Sequence, residues 1–231
     1  MAKLESSFIN MLLALTGISL FAAAALGSVY SITKEPIETS KTAEQQRAVK
    51  EVLPPYERLD EPETIEVANS GTFEIYKAYD GDSRFVGAAV KSSSKNGFGG
   101  EIKIMTGFDN KGVIINYAIL EQKETPGLGT KIVDWFKPAA QVKKSLLERI
   151  VGYEEHAGER NSSIIGKNPA TDNLLVTQDG GVVDGITAAT ISSRAFLEAV
   201  RNAYVAYANN PDAVDTASGA TAPTTDEGKN K

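Results

Sequence analysis

The chain has 231 residues, with 24 lysines and arginines against 30 aspartates and glutamates, which gives a formal net charge of −6. It contains no cysteine and a single histidine. This composition excludes disulfides, cysteine nucleophiles, thiolate-bound iron–sulfur clusters and metal sites built from several histidines. Any redox chemistry in this chain therefore needs an organic cofactor. The acidic balance and the lack of basic runs also argue against binding to nucleic acid.

The N-terminal segment 8–33 has no charged residue and exceeds the roughly 20 residues that a membrane-spanning helix needs. It predicts an uncleaved membrane anchor. The alternative is a cleaved signal peptide, with the alanines at 22–24 marking the cleavage site. Lys3 and the terminal amine favour a cytoplasmic N-terminus. We therefore expect a single-pass protein of the cell inner membrane, with everything after residue 33 on the periplasmic side.

The sequence predicts four successive segments of different composition. They are a cytoplasmic end and anchor at 1–33, a helical stalk at 34–69, a folded domain at 70–208 and a disordered polar tail at 209–231. Pro54 and Pro55 are expected to end the stalk helix, because proline disfavours helix in the residue before it. The tail is poor in large apolar residues, which is typical of disorder.

The folded domain is predicted to be α+β, with a mainly antiparallel sheet and flanking helices. Alternating apolar residues on both sides of short polar turns predict two hairpins, formed by 72–79 with 85–91 and by 101–108 with 113–120. The remaining expected elements are helices at 130–141 and 142–153, short strands at 163–165 and 173–177, and a final helix to about residue 207. Ser192 or Ser193 is expected to cap that final helix.

The segment Asp-Gly-Ile-Thr-Ala-Ala-Thr at 184–190, followed by Ile-Ser-Ser-Arg, is chemically the most informative. It places small and hydroxyl residues at the start of a predicted helix, where free backbone N–H groups and the helix dipole favour a phosphate. Arg194 lies near enough in sequence to complete such a site. From the residues alone, the alternative that these hydroxyls only cap the helix or line a loop stays open.

This segment resembles the flavinylation motif Asp-x-x-Ser/Thr-Gly-Ala-Thr of FMN-binding domains. Upstream, Glu-Thr-Pro-Gly-Leu-Gly at 124–129 is similar to the second motif of that family, and Gly-Phe-Gly-Gly at 97–100 resembles a third. With the anchor and stalk included, the chain resembles the G subunits of Rnf electron-transport complexes. The domain at 70–208 is then expected to bind FMN.

The resemblance implies one covalent FMN, joined through its phosphate to the hydroxyl of Thr190 by a flavin transferase that uses FAD. Asp184 and Thr187 would be recognised by that transferase. The implied cofactor-binding residues, besides Thr190, are Thr187, Ala188, Ala189, Ser192, Glu124, Thr125, Gly127, Leu128 and Gly129. No metal ligand and no catalytic residue is implied. Ala188 stands where the family usually has glycine, and alanine disfavours a backbone with positive φ.

The implied function is that of an electron-relay subunit rather than a stand-alone enzyme. The complex would couple electron transfer from ferredoxin to NAD⁺ to the translocation of Na⁺ or H⁺, and its other membrane and peripheral subunits would be the partners. The chain has no dinucleotide fingerprint, so NAD itself is not an expected ligand. Two alternatives are the C subunit of a Na⁺-translocating NADH:quinone reductase and an extracytoplasmic FMN-binding module without a catalytic role.

Two alternatives to the expected site also stay open. Residues 124–129 could form only a Pro-Gly type II turn without touching a cofactor. The tail contains Asp-Thr-Ala-Ser-Gly-Ala-Thr at 215–221, which fits the flavinylation pattern and includes the usual glycine. We prefer Thr190 to Thr221, because the tail offers no sheet and no following helix to hold a flavin ring.

Overall fold

The computed structural model describes residues 8–67, 71–138 and 161–210. The chain divides into two compact units, 1–46 and 47–231. Helix α1 (Phe8–Val52) forms the described part of the first unit and continues into the second. Among the described residues, α1 is the helix that is long and apolar enough to cross a membrane, as the uncharged segment 8–33 predicts. It ends at Val52, before Pro54 and Pro55, also as predicted.

The second unit is built on a six-stranded antiparallel sheet. Its strands are β1 (Arg58–Leu59), β2 (Glu63–Val67), β3 (Gly71–Tyr79), β4 (Phe85–Ser94), β5 (Ile102–Asp109) and β6 (Ile114–Glu121). The order across the sheet is β1-β3-β4-β5-β6, and β2 pairs with the same edge of β3 as β1 does. The β3–β4 and β5–β6 hairpins confirm the two predicted from alternation.

One face of the sheet packs against helix α2 (Thr190–Ala208). The apolar side chains of α2 recur with the helical period and are buried against the sheet. Phe136 and Phe196 stack with ring centroids 4.6 Å apart, and Tyr117 meets Phe196 edge to face at 4.7 Å. This core positions the first turn of α2, because Phe196 lies less than two turns from Thr190.

The other face of the sheet is covered by the C-terminal end of α1. Val49 and Val52 are buried there with Met105 of β5. The approach is so close that a Cβ on Gly107 would overlap the carbonyl oxygen of Val52. The sheet is therefore covered on both faces within this unit, which explains why β4 and β5 are buried along most of their length.

Three local expectations are wrong. In place of a helix beginning at 130, the structure has a 3-10 turn (Gly129–Val133) and then an irregular segment to residue 138, whose backbone lets Phe136 enter the core. Segments 163–165 and 173–177 form no strands; in the described residues there, only an isolated bridge joins Val176 to Val183. These segments are turns and irregular backbone, from which single apolar side chains such as Leu174 enter the core. Ser192 and Ser193 lie inside α2, because it begins at Thr190.

Two strands were not predicted, and several predicted elements lie outside the described residues. Strands β1 and β2 lie within 34–69 and were not predicted, because both are short and mostly exposed. The helix expected at 142–153 and the end of the one expected at 130–141 lie outside the described residues. So does nearly all of the tail, including the motif at 215–221.

Candidate functional site

Thr190 is the first residue of α2, directly after the N-cap residue Ala189. Among the described residues, this helix end has no side-chain capping hydrogen bond. The first backbone N–H groups of a helix have no partner within the helix, so this end lacks the side-chain acceptor that usually satisfies them. A negative group attached to Thr190 would meet these N–H groups and the positive end of the helix dipole.

The residue two positions before Thr190 has an unusual backbone. Ala188 lies in the left-handed region with φ of +63°, a conformation that costs an L-residue with a Cβ roughly 1–2 kcal/mol. This is the position at which the sequence has alanine in place of the usual glycine. The backbone at this position has positive φ, so an alanine is strained there.

The four hydroxyl residues of this segment have different environments. The Ser192 hydroxyl is buried and donates to Glu124 Oε2 at 2.6 Å. The Ser193 hydroxyl is buried as well; it donates to the Ala189 carbonyl at 3.0 Å and accepts from the Ile186 N–H at 2.9 Å. Thr187 is exposed and Thr190 is half-buried, and neither hydroxyl has a hydrogen-bond partner among the described residues. Thr187 and Thr190 are therefore the hydroxyls available for modification.

The segment 124–129 forms the turn that its Pro-Gly pair predicts. The Leu128 N–H donates to the Thr125 carbonyl at 3.2 Å, and Gly127 has φ of +75°, as the third position of a type II turn requires. The Gly127 N–H donates to Thr130 Oγ1 at 2.9 Å, which closes the turn onto the following residues. The turn leaves Leu128 42% exposed at its tip.

The side chain of Glu124 brings the three motifs together. It is only 5% exposed, yet both carboxylate oxygens have a donor: Ser192 at 2.6 Å and the Gly99 N–H at 3.1 Å. Its own N–H donates to Gln122 Oε1 at 2.7 Å. Residues far apart in sequence thus meet at one buried carboxylate.

Glycines make room for this carboxylate. A Cβ on Gly129 would lie 2.5 Å from Glu124 Oε2 and 2.6 Å from Ser192 Oγ. A Cβ on Gly97 would lie 2.6 Å from Glu124 Oε1. All three distances are shorter than van der Waals contact. The glycines of the second and third motifs therefore serve close packing around Glu124.

Each motif also exposes one large apolar side chain beside its contact with Glu124. Phe98 is 70% exposed, Leu128 is 42% exposed and Ile191 is 48% exposed. They precede Gly99, Gly129 and Ser192, respectively, in the sequence. Each motif therefore has one exposed apolar side chain next in sequence to a residue that packs at Glu124.

Arg194 does not join the start of α2 as a free cation. Its guanidinium makes two hydrogen bonds of 2.7 Å to the carboxylate of Asp179. These bonds hold the pKa of the Asp179 carboxyl below its ordinary value and raise the pKa of Arg194. Together they border a groove of about 290 Å³ between α2 and residues 175–179. Asp179 was not predicted, since no sequence pattern links it to Arg194.

Asp184 has a structural role in the described chain. Its carboxylate accepts from the Asn161 N–H at 2.8 Å, and its carbonyl accepts from the Trp135 indole N–H at 2.9 Å. These hydrogen bonds hold the irregular segment that precedes Thr190 against Asn161 and Trp135. The contacts of Glu124 with Gln122 and with the Gly99 N–H were not predicted, although Gly99 lies in the third motif, because no sequence pattern links these residues to Glu124.

The FMN-binding domain family matches residues 97–205 of this chain. The matched region runs from the glycine segment at 97–100 to the end of α2, and it contains all three motifs gathered by Glu124. The match and the fold of the sheet with helix α2 therefore define an FMN-binding domain.

Relatives extend the match beyond that domain. The G subunit of the ion-translocating oxidoreductase complex of Shewanella baltica is 31% identical over 205 residues, which cover 84% of this chain and 87% of that protein. The corresponding protein of Yersinia pestis is 30% identical over 201 residues, or 80% and 85%. That of Vibrio parahaemolyticus is 37% identical over 117 residues, or 49% and 46%. The chain belongs to the Rnf family of G subunits of ion-translocating oxidoreductase complexes.

Proposed function

We propose that this protein is a membrane-anchored, covalently flavinylated electron-transfer subunit of an Rnf-type complex. The complex couples electron transfer between ferredoxin and NAD⁺ to the translocation of Na⁺ or H⁺. Family membership, the FMN-binding domain and the apolar helix at the N-terminus support this role. The N-terminus lies in the cytoplasm, the FMN domain lies on the periplasmic side of the inner membrane, and the other Rnf subunits are the partners.

The observation that carries the proposal is the environment of Thr190. Its hydroxyl is accessible at the uncapped start of α2, whereas the hydroxyls of Ser192 and Ser193 are buried and already hydrogen-bonded. Thr187, the other accessible hydroxyl, lies before the helix begins and so away from its N–H groups. Thr190 is therefore the hydroxyl at which a phosphate gains most from the helix end.

A flavin transferase makes the attachment with FAD as the donor. A bond forms between Thr190 Oγ1 and the flavin-side phosphorus of FAD, and the pyrophosphate bridge breaks at that phosphorus. AMP leaves, and the hydroxyl proton passes to a base or to solvent. The product is a phosphodiester, which prevents loss of the cofactor by dilution outside the cytoplasm.

The residues present fit FMN. The first N–H groups of α2 would receive the phosphate held by Thr190, and the exposed side chains of Phe98, Leu128 and Ile191 would contact the flat aromatic ring of the flavin. When bound, FMN would supply the transfer of one or two electrons. The protein would position the ring through these contacts.

Stopped-flow reduction of the purified membrane complex tests this function. The complex with wild-type protein and the complex with Thr190→Ala are mixed with reduced ferredoxin, and the difference in flavin absorbance isolates the flavin on this chain. We expect this flavin to be reduced and reoxidised at least as fast as overall turnover.

A flavin that never cycles would instead indicate a non-catalytic FMN module. Copurification with quinone-reductase subunits would favour the C-subunit alternative. Thr190→Ser, which keeps a hydroxyl, is the matched control.

A further inference from the structure

Both carboxylate oxygens of Glu124 are buried and already accept a hydrogen bond from within the protein. One oxygen accepts from the Ser192 hydroxyl and the other from the Gly99 N–H, and the residue is 5% exposed. The backbone at Gly97 and Gly129 lies so close to the two oxygens that neither position has room for a Cβ. A side chain enclosed in this way acts on its neighbours rather than on a ligand in solvent.

Ser192 links Glu124 to the attachment residue. It lies two positions after Thr190 in the first turn of α2, where successive residues are held at fixed rotations and a rise of about 1.5 Å each. Fixing the Ser192 side chain therefore holds the first turn of α2, and with it the Cα–Cβ bond of Thr190 and the helix N–H groups. Through Gly99, the same carboxylate fixes the segment that carries Phe98.

We propose that Glu124 is a positioning residue, which holds the start of α2 against the glycine segments and so orients Thr190 for flavinylation without itself touching FMN. This inference rests on the proposed attachment at Thr190. It assigns to Glu124 a role in hydrogen-bond geometry, whereas a flavin ligand or a base acting on Thr190 would need the negative charge itself.

Conservative and non-conservative substitutions separate these roles. Glutamine at 124 keeps an acceptor for the Gly99 N–H and can donate to Ser192 Oγ, so a positioning role predicts that Glu124→Gln stays within about threefold of the wild-type flavinylation rate. Glu124→Ala removes both contacts. We expect it to lower the rate about tenfold, as does Ser192→Ala, since a hydrogen bond to a charged group is worth about a factor of ten.

The assay uses full-length protein in detergent, purified without its flavin and incubated with the transferase and FAD. The initial rate is read as flavin fluorescence of the denatured protein in a gel. The double variant Glu124→Ala/Ser192→Ala should be no slower than Glu124→Ala alone, because Glu124→Ala already breaks the contact that Ser192→Ala removes. Thermal unfolding of each unmodified variant is measured in parallel, and rates are taken well below the lowest midpoint. Ser192→Ala removes one oxygen atom and keeps the inference testable if Glu124→Ala does not fold.

The pair Ser94 and Glu198 is the matched control. The Ser94 hydroxyl donates to Glu198 Oε2 at 2.7 Å, the same chemistry as Ser192 with Glu124, but away from the start of α2. Ser94→Ala and Glu198→Ala should leave the flavinylation rate within about twofold.

Three results would overturn the positioning role. The first is a loss in Glu124→Gln as large as in Glu124→Ala, which would assign the effect to the charge. The second is additive loss in the double variant. The third is a normal rate in every Glu124 and Ser192 variant. If wild-type protein gains no flavin, or if Thr190→Ala still gains it, the proposed attachment fails. If Thr190→Ala gains none while all Glu124 and Ser192 variants react normally, only the positioning role fails.

Discussion

Glu124 and Ser192 are 68 residues apart in the chain, and a 2.6 Å hydrogen bond joins their buried side chains. This bond connects the turn at 124–129 to the first turn of α2. It explains why glycine is needed at 129, where a Cβ would lie between the two side chains. It also separates the roles of two neighbouring hydroxyls: Ser192 is used for structure, and Thr190 is left accessible.

The strained backbone at Ala188 gives a prediction of stability. Ala188→Gly should stabilise the unmodified protein by roughly 0.5–1 kcal/mol, because relief of the left-handed strain outweighs the entropy that glycine adds to the unfolded chain. Urea unfolding followed by circular dichroism measures the change. Ala189→Gly is the comparison: its φ is −138° and its side chain is buried, so glycine relieves no left-handed strain there, removes a buried methyl group and should destabilise. Destabilisation by Ala188→Gly would contradict the strain.

Thr106 gives a second prediction of stability. Its hydroxyl is fully buried in β5 without a hydrogen-bond partner among the described residues. Thr106→Val replaces it with a methyl group of similar size and should stabilise the protein by about 1 kcal/mol. Ser92→Ala should do the opposite, since the Ser92 hydroxyl donates to the Ala199 carbonyl at 2.8 Å. The measurement is the free energy of unfolding of both variants. A lower free energy of unfolding for Thr106→Val than for wild type would show that the Thr106 hydroxyl has a hydrogen-bond partner.

Gly107 tests the packing of the end of α1 on the sheet. Gly107→Ala places a methyl group against the Val52 carbonyl and should destabilise the protein by about 1–3 kcal/mol, the usual cost of overpacking. In Gly185→Ala the nearest atom, Val176 Cγ1, would lie at 3.3 Å, so this variant should change stability little. Equal unfolding midpoints for Gly107→Ala and wild type would show that α1 does not pack there.

The pair of Asp179 and Arg194 predicts a pH dependence. Its hydrogen bonds lower the pKa of Asp179 from the ordinary value of 3.8. A lowered pKa in the folded state means that the pair stabilises the protein above about pH 4 and that this contribution is lost as pH falls through the lowered value. Asp179→Asn should therefore reduce stability at pH 7 and match wild type near pH 2. Urea titrations at both pH values measure this, and a difference that persists at pH 2 would contradict it.

The sequence could predict those parts of the fold that depend on local pattern. Alternation and turn residues predicted both hairpins, and the helical period predicted α2. The site motifs were visible because they are contiguous. The contacts of Glu124 with Ser192 and of Asp179 with Arg194 could not be predicted, since they depend on how distant segments pack. Segments 130–138 and 163–177 were misread, because side chains such as Phe136 and Leu174 are buried from turns.

The covalent bond to Thr190 is the central claim, and peptide mass spectrometry tests it most directly. Protein produced with the flavin transferase is digested, and each peptide is examined for the mass added by FMN phosphoryl attachment. We predict the adduct on the peptide that contains Thr190, its loss in Thr190→Ala, and an unchanged yield in Thr221→Ala. An adduct on a peptide from 210–231, or none at all in fully processed protein, would contradict the assignment.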